Sequence, residues 1–205
     1  MIIVMRGNFV RAESNRMLAA LQEQAGGVNR WHHNREPVAV DNQTVIRSNR
    51  DTLYSFAVVN ITDGARLTLP DTDGRYLTVM AVNQDHYVNR VFTQPGDHSL
   101  TMEELDTPYV LLAARTLVDP DDPGDVRRVC SLQDGLSVTA HADEPLELPD
   151  YDEASFTATR QALLEEAAHG MQTRGMFGRK EEVDPHRHLI GTAGGWGGLP
   201  EREAY

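Results

Sequence analysis

"ARLTLPDTDGRYLTVMAV", residues 65–82, decides the fold. Two runs of Leu, Thr and Val flank Pro-Asp-Thr-Asp-Gly. Residues of that kind fit a pleated, half-buried surface, and Gly74 can take the positive φ that a tight connection needs. The spacing predicts two antiparallel strands joined as a hairpin. The same texture continues outward. From Pro37 to about Val118, short runs rich in Val, Leu, Thr and Tyr alternate with turn residues, and "TPYVLLAARTLV" (107–118) reads as a core strand. A mainly β chain, an antiparallel β-sandwich, is the expectation.

Helical segments frame these strands. Met17, Leu18, Leu21 and Ala25 recur at helical spacing over 12–25, with Ser14 as candidate N-cap and Gly26-Gly27 as the stop. After a proline-led turn at 119, a short helix is expected near 125–134, because Val126, Val129, Cys130 and Gln133 share a face and Asp residues favour its N-terminus. "LSVTAH" (136–141) follows as a strand. An acidic, proline-bearing connector at 142–153 then leads to a helix near 153–169 that Gly170 ends. The chain divides into an N-terminal helical segment (1–29), a β-sandwich domain (30–150) and a C-terminal helix with a Gly/Trp-rich arm (151–205).

Composition excludes several functions. At 205 residues and 40% hydrophobic content the chain can bury a sizeable core, and no apolar run approaches the length that spans a bilayer. A net charge of −12 repels phosphate backbones and anionic lipids, so neither nucleic acid nor membrane is an expected partner. Lys180 is the single lysine, which nearly excludes Schiff-base and phosphate-loop chemistry. Cys130 stands alone and reads as a small buried thiol. The apolar start before Arg6 is too short for an export signal, giving a cytoplasmic expectation. The glycines at 191, 194, 195, 197 and 198 lack dinucleotide-loop spacing, so they read as a tight backbone crossing around Trp196, and no cofactor is expected.

One stretch is dense in polar side chains. "VIRSNRDTLYS" (45–55) sets Arg47, Asn49, Arg50 and Asp51 between runs that read as strands. Asn49 and Asp51 suit local turn bonds, whereas the arginines need counter-ions, since a charge taken from water must be paired. "NQDHYVNR" (83–90) adds Asp85 and His86. A weaker constellation is Asp184, His186 and His188 in "DPHRH", where the two histidines share a side if the segment is extended, so that a metal could be held there. The "WHHN" stretch (31–34) reads as exposed loop.

"VIRSNRDTLYS", with "LPDTDGRY", "NQDHY", "RTLVDPDDPGDV" and "LQD", resembles the domain of unknown function 1254 family over roughly residues 30–141. The tail from Phe177 is similar to the linker that joins members to a second domain, of the related 1214 family. The resemblance implies a β-sandwich, a jelly-roll second domain in relatives, frequent export of relatives, and no established activity. An arm that leads into another domain carries apolar surface, so a homo-oligomer is expected.

The readings that remain differ in class. In the preferred one the chain is a structural or interaction module whose Asn-Arg-Asp-Thr-Leu-Tyr-Ser cluster is a buried polar knot. In the alternative the cluster binds a small oxygen-rich or carboxylate-bearing molecule. Arg47, Asn49, Arg50, Tyr54 and Arg115 would then orient the ligand, and Asp51, Asp85 and His86 would serve as acids or bases in hydrolysis or isomerisation. A metal-dependent enzyme using Asp184, His186 and His188 is the third.

Overall fold

The computed structural model describes residues 1–37, 49–168, 170 and 172–195. In chain order the elements are α1 (Phe9–Gln24), β1 (His32–His33), β2 (Thr52–Asn60), β3 (Ala65–Leu69), β4 (Leu77–Asn83), β5 (Val88–Phe92), β6 (Gly96–Leu100), α2 (Met102–Leu105), β7 (Tyr109–Leu117), α3 (Pro123–Asp134), β8 (Ser137–Ala140), α4 (Glu153–Ala167) and α5 (Pro185–Gly195). The strands form two antiparallel sheets, one of five strands in the order β1-β2-β7-β4-β5 and one of three in the order β6-β3-β8.

Strand alternation builds the core. Ala57 and Val59 of β2, Val110, Leu112 and Ala114 of β7, and Leu77, Val79 and Ala81 of β4 point to one face of the large sheet. There they meet Leu67, Leu69, Leu100 and Leu136 of the opposite layer. The expected sandwich is therefore present, with β7 at its centre. On the other face of the large sheet, Val58, Leu111 and Val82 receive Leu18 and Leu21 of α1.

The 65–82 stretch corrects the hairpin expectation. β3 pairs with β6 and β8, β4 pairs with β5 and β7, and residues 70–76 cross from one layer to the other. Period-2 alternation fixes which side chains face the core but not which strand lies alongside. Leu67 and Val79 are buried as well by an arch between layers as they would be by a hairpin. The tight turn is real: Asp73 and Gly74 have φ of 51° and 82°, and the Arg75 N–H donates to the Thr72 carbonyl.

Helix α1 starts at Phe9, so Ser14 is an interior, buried residue rather than a cap. Phe9 and Ala12 pack against Phe156 and Ile190, and this tertiary burial extends the helix past its local signals. Gly26 and Gly27 stop it as expected, both at positive φ. Asp122 caps α3 through Gly124 N–H and Asp152 caps α4 through Ser155 N–H. The single-turn α2 and the glycine-rich α5 were not expected. No described helix is long and apolar enough to cross a membrane.

Candidate functional site

Arg47 lies outside the described residues. From Asn49 onward the polar stretch forms the start of β2. The Asn49 Oδ1 accepts the Asp51 N–H at 2.8 Å, the turn bond expected of it, and the Asp51 carbonyl accepts the Val118 N–H at 2.8 Å. The Asp51 side chain is exposed. Arg50 is half-buried, and its buried Nε meets no acceptor among the described residues. Tyr54 faces outward beneath the Arg115 guanidinium, 5.3 Å from its ring centre. Ser55 faces inward, where Gln133 Nε2 donates to its Oγ at 3.0 Å. His33 Nδ1 lies 2.8 Å from the same oxygen. Burial, then the positive charge of Arg35, lowers the His33 pKa to about 4, so the ring is neutral at neutral pH and shares one hydrogen bond with the Ser55 hydroxyl. His32 and His33 thus stand on a short edge strand, not in an exposed loop.

The most heavily bonded carboxylate near this end is one that sequence reasoning missed. Asp125, only 7% exposed, accepts from Arg75 Nη1 and Nη2 at 2.9 and 2.5 Å. It also accepts from Arg128 Nε and Nη2 at 3.3 and 3.0 Å, and from the Asp119 N–H at 2.8 Å. The Arg75 hydrogen bonds, then that backbone N–H, hold its carboxyl well below the usual range. Arg128 Nη2 is shared with Asp122 Oδ2 at 3.1 Å, and Arg75 Nη1 donates to the Leu117 carbonyl at 2.8 Å. An open cleft of about 480 Å³ lies beside this knot, with Asp51 and Val118 in its wall. Arg75 belongs to "LPDTDGRY" and Asp125 to "DPDDPGDV", so both stood in stretches already singled out. Their pairing follows from the arch, which sequence did not reveal.

Asp85 and His86 belong to a different place. β2 and β4 are both antiparallel to β7 and so run the same way, which puts the start of β2 and the turn after β4 at opposite ends of the sheet. Seven residues of β4 at ~3.3 Å each separate them by roughly 20 Å. Asp51 therefore cannot share one reacting centre with Asp85 or His86. Asp85 is held by Arg11, whose Nε and Nη2 donate at 2.8 and 2.7 Å. His86 is buried at φ 61°, with Nδ1 2.9 Å from Thr192 Oγ1 and its ring edge-on to Phe177. Burial first, then the charge of His188, lowers its pKa to about 3, which removes the neutral-pH proton exchange expected of it.

The three candidate metal ligands diverge. The 185–195 segment is helical rather than extended, so residues two apart point away from each other. Asp184 Oδ1 caps α5 through the His186 and Arg187 N–H groups. His186 Nε2 reaches Glu166 Oε1 at 2.7 Å. His188 is buried, its ring nitrogens each 2.8 Å from a carbonyl oxygen, those of Met176 and Asp85, and its ring stacks on Tyr87. Among the described residues no group of three His, Cys, Asp or Glu could hold a metal ion. A second buried acid was also missed: Glu13 in α1 is fully buried, 3.2 Å from Arg16 and 4.0 Å from Arg160. Burial raises its pKa against the pull of both arginines. A lone Glu in an amphipathic helix gives no sequence signal of that burial.

The fold is shared with a solved protein. The crystal structure of the VPA0106 protein from Vibrio parahaemolyticus superposes with a TM-score of 0.66 at 14% identity, over 95% of this chain and 67% of that one. No match is found among curated proteins. The model of one family, described as protein of unknown function (DUF1254), matches residues 28–140, a span that includes the β2 start, the arch, the turn after β4 and the Asp125 knot. The chain belongs to the DUF1254 family.

Proposed function

We propose that this chain is a structural or interaction module that self-associates, with its charged residues serving as ties between layers. The observation that carries this reading is the Asp125 knot: five donors from the arch, α3 and the preceding turn converge on one carboxylate. Other polar residues are used the same way. Arg11 ties α1 to the turn after β4, Arg35 ties the β1 exit to α3 through Asp134, and Gln133 ties α3 to Ser55 of β2. Groups committed to such ties are not free to bind or turn over a substrate.

The test is a thermal-shift screen of the purified chain against sugars and small carboxylic acids, with Arg50→Ala and Asp51→Ala alongside. The module reading expects no ligand-dependent rise in Tm. A saturable rise that Arg50→Ala abolishes in a folded protein would establish a binding site at the start of β2 instead.

A further inference from the structure

Helix α1 covers only half of the outer face of the large sheet, and successive cross-strand rows show where its cover stops. In the row of Val58, Leu111 and Val82, all three are buried. In the next row Phe56, Ala113 and Met80 are half-buried, while Val91 of β5 is 50% exposed. Then come Tyr54, Arg115 and Thr78, of which Arg115 is exposed. At the far end Leu117 and Tyr76 are 45% and 52% exposed. Thr52 of β2, across from Leu117, is buried. The apolar and aromatic surface therefore opens with distance from α1 on the β7, β4 and β5 side of the sheet.

Arg115 stands on the middle strand of this surface. Among the described residues nine arginines lie within 4.0 Å of a carboxylate. Arg115 is not one of them, and its guanidinium rests on the Tyr54 ring. Two residues past Leu117, in the turn that follows β7, the exposed Asp119 accepts the Asp121 N–H through Oδ1 at 3.0 Å and has no described cation within 4.0 Å. A patch with a cation near its centre and an anion at its rim, neither facing an opposite charge among the described residues, is self-complementary, which a two-fold interface requires. An axis lying in the interface and crossing β7 at Leu117 reverses the strand. Residue 115 of one copy then lies opposite residue 119 of the other.

We propose that a second copy of this chain docks on the uncovered half of the large sheet, Arg115 of each copy pairing with Asp119 of the other across a centre of Leu117 and Tyr76. This rests on the interaction-module reading and names its partner and surface. Sedimentation velocity over a dilution series tests it, with circular dichroism to check folding. The expected result is a dimer. Arg115→Asp and Asp119→Arg should each raise its Kd by about tenfold or more, and the double swap should restore it. Val91→Asp, on an already exposed position, should weaken it without touching the fold. A monomeric wild-type chain overturns both this proposal and the self-association in the module reading. An oligomer indifferent to Arg115→Asp and Val91→Asp overturns the surface alone, and failure of the double swap to rescue overturns the Arg115–Asp119 pairing.

Discussion

The two ends of the five-stranded sheet hold their most buried titratable groups by different means. At the β2 start and arch, charge answers charge: Asp125 sits between Arg75 and Arg128, and Arg128 remains 62% exposed, so water still solvates the network from outside. At the turn after β4 the groups are imidazoles deep in the packing of α5, bonded to a hydroxyl and to backbone carbonyls. Burying an ion costs several kcal/mol unless its pairing is complete, so ionic ties belong where solvent reaches one partner. At the dry end the partners of the imidazoles are an uncharged hydroxyl and carbonyls. Acid should therefore attack the two ends in different pH windows.

The largest effect expected is loss of the ionic end. Asp125→Ala removes the shared acceptor of Arg75, Arg128 and the Asp119 N–H; Arg75 keeps the Leu117 carbonyl and Arg128 keeps Asp122 and water, so the loss should be about 2 to 3 kcal/mol in urea unfolding. The depressed Asp125 pKa also gives a signed pH dependence. Its contribution is full above the unfolded carboxylate value of about 3.9 and is lost as pH falls below that toward the folded value. Asp125→Asn should flatten this acid limb. An unchanged limb would show that the knot does not govern acid stability.

The dry end should fail earlier on acidification. His86 has a folded pKa of about 3 against 6.5 unfolded, so the unfolded chain binds the extra proton and stability falls as pH drops below 6.5. The linkage amounts to about 2 kcal/mol between pH 7 and pH 5. His86→Asn keeps a residue that tolerates the left-handed backbone and should abolish that slope in Tm, leaving only the lower one set by Asp125. If the slope persists, the imidazole is not what makes this end acid-labile.

These ends were unequally legible in the sequence. The strand around Arg115 stood out because a continuous apolar run has one buried solution; α3 announced itself by its shared face and the Asp residues at its N-terminus, and α4 by its run up to Gly170. The Asn49 turn bond is local and was readable. The Arg75–Asp125 pair was not, because 50 residues separate them and the arch that joins them has the same alternation as a hairpin. Helix α5 was missed because Gly191, Gly194 and Gly195 argue against helix. Gly191 and Gly195 let it approach Met176 and Phe177 closely: a Cβ on Gly191 would stand 3.0 Å from Met176 Cβ.

One tightly packed glycine at each end should give a smaller effect. A Cβ on Gly135, at the end of α3, would meet Pro70 Cβ at 2.8 Å, where a ring fixed to the arch cannot yield. Gly135→Ala should therefore cost about 1 to 2 kcal/mol through strain alone, since its φ of −79° is ordinary. At the other end a Cβ on Gly195 would meet Phe177 Cζ at 2.7 Å. That atom is the far end of a partly exposed side chain that can swing aside, so Gly195→Ala should cost less. Chemical denaturation of both variants checks the order.

Glu13 is a carboxylate placed where the dry end would place an imidazole, and it supplies the smallest effect. Its folded pKa is raised, so the folded chain holds the proton more tightly, and stability is lost as pH rises from the unfolded value of about 4.3 through the folded one. Glu13→Gln removes the buried charge at neutral pH. Its arginine neighbours keep other partners: Arg16 stacks on Phe156 and lies 3.7 Å from Glu153, and Arg160 donates to the Ala193 carbonyl. The variant should gain up to about 1 kcal/mol at pH 7 and nothing at pH 4, read as Tm at the two pH values. A lower Tm at pH 7 would mean that attraction to Arg16 and Arg160 outweighs the cost of burial, and that ionic ties persist inside the helical layer as well as at the solvated rim.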